Sequence, residues 1–251
     1  MEAQQAHTRQ EPLEGKRVLI TGGSTGIGRA IATLLGTYGA RILTLGREQA
    51  VLDEALAQIR AAGGTADGLV ADLARPEDIR RVFAEADRVL GGLDIVVANA
   101  AVSGKAIADM EDADWRYVVE TNLLGYMGCA REAVLRMREQ GRGHLVFIGS
   151  MSADLREGDK SVYVATKTGV QGFVESLRKE VNPEGIKVSL IEPGLVQSAI
   201  HERSPEEQAR MVRQEEMLRA EDIAVAVHYV LTQPLRCDVV SLQIRPHGQV
   251  I

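Results

Sequence analysis

Tyr163 and Lys167 stand four residues apart in S-V-Y-V-A-T-K-T-G (Ser161–Gly169), a segment whose pattern reads as helix. Residues at that spacing share a helical face and can touch. A phenol has an ordinary pKa of about 10 and is a reluctant base at neutral pH; a neighbouring ammonium favours the phenolate and lowers that value. The pair therefore suits a group that gives a proton to a substrate oxygen or takes one from it. By itself it also suits an incidental pair on a helix surface. Two facts weigh for chemistry. Lysine is scarce in a chain whose basic residues are mostly arginine, and none of Tyr38, Tyr117, Tyr126 and Tyr229 has a lysine four residues on.

A second candidate is T-G-G-S-T-G-I-G, Thr21–Gly28, which follows the apolar run R-V-L-I and leads into A-I-A-T-L-L. Glycines at a strand-to-helix turn let the backbone approach a pyrophosphate, and the helix N-terminus supplies free N–H groups and positive potential. The spacing is G-x-x-x-G-x-G rather than the G-x-G-x-x-G fingerprint, and no lysine follows the last glycine as in a P-loop. Gly22, Ser24, Thr25, Gly26, Ile27 and Gly28 are thus cofactor-binding candidates, with a plain glycine turn as the alternative. The second apolar run ends L-T-L-G-R-E. An acidic side chain at this place takes the ribose hydroxyls of NAD, whereas an arginine accommodates the 2′-phosphate of NADP. Gly46 cannot repel a phosphate and Arg47 can meet one bidentately. NADP(H) is the expected cofactor; NAD(H) is the alternative, if Glu48 takes the ribose.

These residues need elements to position them. Short apolar runs begin at Arg17, Arg41, Gly68, Asp94, His144, Lys187 and Val239, mostly without alternation, as strands buried on both faces of a parallel sheet read. Helical patterns lie between them at Gly28–Tyr38, Glu48–Ala62, Pro76–Leu90, Asp112–Glu139, Ser161–Val181 and Glu221–Thr232. The alternation predicts right-handed βαβ crossovers and an α/β, doubly wound sheet with helices on both faces. Residues 1–12 read as a mobile polar tail, and 13–251 as one domain. A charged stretch at about 195–219 interrupts the rhythm after a strand's carboxyl end, where ligands bind in such sheets, and is expected to be lid-like.

Composition narrows the function classes. The 251 residues are 45% hydrophobic and 25% charged, with a formal net charge of -6. This mildly acidic balance gives no reason to expect nucleic acid or an anionic membrane as partner. No apolar run is long enough to span a bilayer, and the polar start lacks the core of a signal peptide. Cys129 and Cys237 fit neither a disulfide framework nor a zinc site and read as buried, reduced thiols in a cytoplasmic protein. His144, His201, His228 and His247 have no ligand spacing.

Taken together and in order, the motifs resemble the short-chain dehydrogenase/reductase family from Gly15 to the C-terminus. T-G-G-S-T-G-I-G is similar to its cofactor loop. Asp72-Leu73 matches the adenine-contacting acidic position, and A-N-A-A at Ala98–Ala101 matches its N-N-A-G. T-N-L-L-G places Asn122 at its helix asparagine. Ser150 precedes Tyr163 by the usual thirteen residues, and Y-x-x-x-K is present. P-G-L-V from Pro193 matches the segment that lines the nicotinamide.

The resemblance implies a single-domain Rossmann fold with seven parallel strands in the order 3-2-1-4-5-6-7. It implies cofactor contacts from Asp72, Leu73, Asn99, Ala100, Ala101, Tyr163, Lys167, Pro193, Gly194 and Val196 as well as the loop and Arg47. The catalytic set would be Asn122, Ser150, Tyr163 and Lys167. Ser150 would donate to the substrate oxygen, and Lys167 would lower the pKa of Tyr163 and bond the cofactor ribose. Asn122 would hold a water that passes protons to Lys167. No metal enters this scheme.

The expected activity is NADP(H)-dependent hydride transfer on a small carbonyl or secondary alcohol. The alternatives are an epimerase or dehydratase that uses the cofactor transiently, or a non-catalytic cofactor-binding protein. Ala98 and Ala101 replace an Asn and a Gly of the family pattern, adding a methyl where the backbone passes the cofactor. The ending L-Q-I-R-P-H-G-Q-V-I resembles reductases of short hydroxy acids or serine. Small residues at Asn122–Gly128 and Ala165–Gly172 imply helices packed across a two-fold axis, hence a homo-oligomer, a tetramer or a dimer.

Overall fold

The computed structural model of the protein describes residues 9–198 and 203–249. Seven strands form one sheet: β1 (Arg17–Ile20), β2 (Arg41–Gly46), β3 (Thr65–Val70), β4 (Ile95–Ala98), β5 (Gly143–Ile148), β6 (Ile186–Pro193) and β7 (Ser241–Ile244). All pairings are parallel, in the order β3-β2-β1-β4-β5-β6-β7. Within each strand alternate residues face opposite layers. Leu19, Val96, Leu145 and Phe147 point to one layer, and Val18, Ile20, Val97 and Val146 to the other.

The first layer is completed by α3 (Pro76–Leu90), α5 (Gly125–Gln140) and α7 (Ser161–Val181), through Phe83, Tyr126, Met137 and Val174. The second is completed by α1 (Gly26–Thr37), α2 (Gln49–Ala61) and α9 (Ala220–Leu231), through Ile31, Leu35, Ile59 and Val227. Each such side chain contributes roughly 1.5–3 kcal/mol on burial. The strand order reverses between β1 and β4, which opens a crevice at their carboxyl ends.

Four elements differ from the sequence expectation. The predicted helix Asp112–Glu139 is interrupted: α4 (Asp112–Val119) runs into a π-helical turn, Glu120–Leu124, before α5. Gly125 N–H bonds back to the Glu120 carbonyl across the widened turn. This turn puts the Asn122 amide against the backbone of Val102, an interaction that offsets the poorer local geometry. Strand β3 begins at Thr65, before the apolar run, because as an edge strand it exposes Thr65 and Asp67. The charged stretch at 195–219 contains α8 (Pro205–Arg213), capped by the Ser204 hydroxyl on Glu207 N–H. Its two ends are zipped together where Gln197 N–H bonds the Leu218 carbonyl and Leu218 N–H bonds that of Leu195. A short helix not foreseen, α6 (Ser152–Leu155), follows β5. Of the two thiols only Cys129 is buried; Cys237 is exposed because it lies in the loop before β7. His201 and residues 1–8 of the expected tail lie outside the described residues.

Candidate active site

A cleft of about 650 Å³ opens at the carboxyl ends of β1, β2, β4, β5 and β6. Every candidate site residue named from the sequence lines it except Gly28 and Asn122. Those two sit directly behind its wall. A side-chain carbon on Gly28 would lie 2.2 Å from the Gly22 carbonyl oxygen and 2.5 Å from Asn99 Nδ2. Gly22 itself is left-handed (φ 68°). The loop thus folds onto the start of α1 with no room for a methyl. Asn99 and the buried Thr21 lock it: Asn99 Nδ2 donates to the carbonyls of Thr21 (3.0 Å) and Gly22 (3.3 Å), while Thr21 Oγ1 accepts from the N–H groups of Asn99 (2.9 Å) and Ala100 (3.0 Å). Ala98 belongs to the core instead, so its methyl packs away from the cleft; Ala101 does line it.

At one end of the cleft β5 and α7 bring Ser150, Tyr163 and Lys167 together. Tyr163 is half-buried and hydrogen-bonded to the Ser150 side chain. Burial raises its pKa above the ordinary value; the Ser150 bond opposes this and the Glu157 carboxylate reinforces it. Lys167 is buried, with Nζ donating to the Ile148 carbonyl at 2.9 Å and to the Tyr126 hydroxyl at 3.5 Å. Nζ lies 5.8 Å from the centre of the Tyr163 ring. Burial outweighs any contribution from the lysine, so the Tyr163 pKa lies above its ordinary value and not below it as expected from the sequence. A buried cation must find acceptors, and the end of β5 and Tyr126 provide them.

Asn122 bonds the backbone of the segment after β4. Its Oδ1 accepts from Val102 N–H and its Nδ2 donates to the Val102 carbonyl, both at 2.8 Å. Its side chain thereby fixes the segment after β4, and its Nδ2 also donates to Thr166 Oγ1 at 3.5 Å.

Desolvation lowers the Lys167 pKa from 10.5 to about 7. Between those values the unfolded chain binds a proton that the folded chain has released, so stability rises with pH in that window and is flat below it. The stability of the wild type relative to Lys167→Met should accordingly rise from pH about 6 to about 9, measured by denaturant melts of cofactor-free protein. A constant difference would show that Lys167 does not titrate there.

At the opposite end Arg47 leaves the end of β2 and donates through Nη1 to the Tyr117 hydroxyl at 2.9 Å. That hydroxyl donates to the Asp72 carboxylate at 3.2 and 3.3 Å. Tyr117, on α4, was not singled out as a site residue. Neither was Thr121, which lines the same wall and whose buried Oγ1 is, among the described residues, without a hydrogen-bond partner.

The rest of the cleft is lined by Met151, Ser152, Leu155 and Glu157 after β5, Val102 and Ser103 after β4, and Leu195, Ser198 and Arg203 from the charged stretch. Lys160 and Gln249 add to it. Arg210 and Arg213, in the last turn of α8, do not line the cleft.

These residues fit a dinucleotide. The glycine loop is a cradle that a methyl would fill, and Thr121 offers an unused buried hydroxyl. Helix α1 starts without a side-chain cap and without an acid in its first turn, which leaves its N–H groups and positive end to an anion.

The profile of the family described as short chain dehydrogenase matches residues 16–209. An uncharacterized oxidoreductase of Staphylococcus aureus (strain MRSA252) is 33% identical over 236 residues, covering 93% of this chain and 98% of the relative. Dehydrogenase/reductase SDR family member 11 of Gallus gallus is 30% identical over 249 residues, covering 94% and 98%. Among solved structures, a metagenomic short-chain oxidoreductase in complex with NADP superposes with a TM-score of 0.81 at 29% identity, covering 94% of this chain and 99% of that one. A short chain dehydrogenase from Burkholderia cenocepacia, also in complex with NADP, gives 0.83 at 28%, covering 94% and 98%.

Proposed function

Because the chain belongs to the short-chain dehydrogenase/reductase family, and so is an oxidoreductase acting on CH–OH or C=O groups, we propose that it is an NADP(H)-dependent carbonyl reductase/alcohol dehydrogenase for a small molecule, with Tyr163 as its proton donor and acceptor. The observation that carries this reading is the shared cleft: Tyr163, bonded to Ser150 and one turn from buried Lys167, faces the same space as the glycine cradle and Arg47. When bound, the nicotinamide supplies or accepts the hydride. The chain's own residues handle the proton and the charge. Tyr163, its pKa raised by burial, keeps its proton across neutral pH and is set to donate it to a carbonyl oxygen. Ser150 holds the phenol now and can donate to that same oxygen, stabilising charge as it develops. Lys167 places an amine that titrates near neutral pH behind both, anchored to Ile148 and Tyr126. Asn122 positions the wall at Val102.

NADP(H) over NAD(H) is supported by Arg47 and by the two NADP complexes among the structural neighbours. Arg203 and the zipped stretch at 195–219 form one lip of the cleft, and we assign to that stretch the role of a lid. A homo-oligomer is supported by Leu124 and Leu135, large apolar side chains exposed on the π-helical turn and α5. Gly169 packs on Leu123 of its own chain, whereas Gly172 faces open space and is available to a second copy. No helix among the described residues is long and apolar enough to cross a membrane, and we place the protein in the cytoplasm.

The test is a panel of small carbonyl compounds followed by reduced-nicotinamide absorbance. NADPH should be consumed one-for-one with alcohol formed. Conversion of substrate with no net cofactor loss would favour the epimerase or dehydratase alternative; no turnover with any compound while NADPH still binds would favour a cofactor-binding protein.

A further inference from the structure

The three side chains at the far end of the cleft come from three elements that are distant in sequence: Arg47 after β2, Asp72 after β3 and Tyr117 on α4. A guanidinium and a carboxylate facing across a cleft ordinarily pair directly. Here the phenol hydroxyl stands between them, accepting from Arg47 Nη1 (2.9 Å) and donating to Asp72 (3.2 and 3.3 Å). Asp72 is independently held: Ala74 N–H donates to its Oδ1 at 3.0 Å, and its own N–H donates to the Asp78 carboxylate at 2.8 Å. Tyr117 is therefore fixed at both its backbone and its hydroxyl, and Arg47 is the movable member of the chain.

We propose that Tyr117 is a positioning residue for cofactor selection, its hydroxyl holding Arg47 extended along the cleft wall and keeping the Asp72 carboxylate from capturing it. The hydroxyl uses one of the five guanidinium N–H donors, and the others make no hydrogen bond within the protein among the described residues. They stay open to a 2′-phosphate, which a guanidinium binds bidentately. An arginine already held in place loses less rotamer freedom on meeting that phosphate than one swinging in solvent. Loss of the hydroxyl frees Arg47 either to move or to pair with Asp72, and both weaken the 2′-phosphate site, whereas Asp72 keeps its own anchor on Ala74 N–H and the adenosine contacts change less. This inference rests on the NADP(H) reading above.

The experiment is titration calorimetry of the full-length protein with 2′,5′-ADP and with 5′-ADP, for wild type, Tyr117→Phe and Arg47→Leu. The wild type should bind 2′,5′-ADP more tightly than 5′-ADP. Tyr117→Phe should cut that ratio roughly three- to tenfold, the net worth of one ordinary hydrogen bond, and leave 5′-ADP binding within about twofold. Arg47→Leu should abolish the ratio. An unchanged ratio in Tyr117→Phe, together with its collapse in Arg47→Leu, overturns the role of Tyr117 and leaves the NADP(H) reading standing. Equal loss for both ligands in Tyr117→Phe reduces the tyrosine to adenosine packing and also overturns it. A ratio that survives Arg47→Leu, or is absent in the wild type, sinks the NADP(H) reading itself. Tyr117→Leu provides the same comparison if the phenylalanine form does not fold.

Discussion

Replacing Tyr163 with phenylalanine should lower the rate of carbonyl reduction by roughly 10²–10⁴-fold, the usual contribution of a positioned proton donor, while the protein keeps its melting temperature and its stabilisation by NADPH. The substitution removes one atom. The ring stays where α7 puts it, and Ser150 loses a partner that water can replace. The direction of the Tyr163 pKa shift adds a second expectation. Burial raises it, with the Ser150 bond opposing and Glu157 reinforcing. In the protein without cofactor the phenol therefore holds its proton throughout the neutral range. Reduction, which needs the protonated phenol, should be nearly flat with pH there. Alcohol oxidation, which needs the phenolate, should climb as pH rises into the alkaline range. If Tyr163→Phe kept reduction within tenfold of the wild-type rate, the proton would have to come from another group, and Ser150 and Lys167 are the ones in reach.

The second large effect is expected from Gly28→Ala. The new methyl would meet the Gly22 carbonyl oxygen at 2.2 Å and Asn99 Nδ2 at 2.5 Å. Neither can retreat cheaply. Gly22 holds a left-handed backbone, and Asn99 is pinned by its bonds to the carbonyls of Thr21 and Gly22. An overpacked site of this kind costs about 1–3 kcal/mol. In a domain of this size that lowers Tm by about 2–4 °C per kcal/mol. Binding should suffer more than folding, because the N–H groups that would face the pyrophosphate belong to the displaced loop. Thermal melts with and without NADPH separate the two: the variant should melt a few degrees early and show no cofactor-induced stabilisation. A normal cofactor-induced shift would mean that the loop is softer than its packing indicates.

The parts of this site that could be read from the sequence are those carried by short-range spacing. Tyr163 and Lys167 are one helical turn apart, and the glycine loop is contiguous; both occupy the cleft as expected. The strand–helix alternation predicts a doubly wound sheet, the family resemblance carried by the ordered motifs implies its seven-strand order, and the sheet has that order. What could not be read depends on contacts between residues far apart in the chain. Nothing near Lys167 announces that its ammonium will turn to Tyr126 and Ile148, because those partners arrive from α5 and β5. The same holds for Asn122. Its residue type is legible, yet only the fold sets its amide against Val102 once the π-helical turn widens the helix. Tyr117 was visible as one tyrosine among five, and only the fold brings it between Arg47 and Asp72. β3 was caught only in its second half because the edge position exposes Thr65 and Asp67, which breaks the apolar signal of a buried strand.

The central claim is net hydride transfer between a reduced nicotinamide and a carbonyl carbon in this cleft. It is tested most directly with NADPH carrying deuterium at the transferable position of its nicotinamide ring, incubated with the full-length protein and a carbonyl compound that it turns over. The account predicts one deuterium on the carbinol carbon of each alcohol molecule, with an equal amount of NADP⁺ formed. Product that carries no deuterium, or that accumulates while NADPH remains unoxidised, would contradict it.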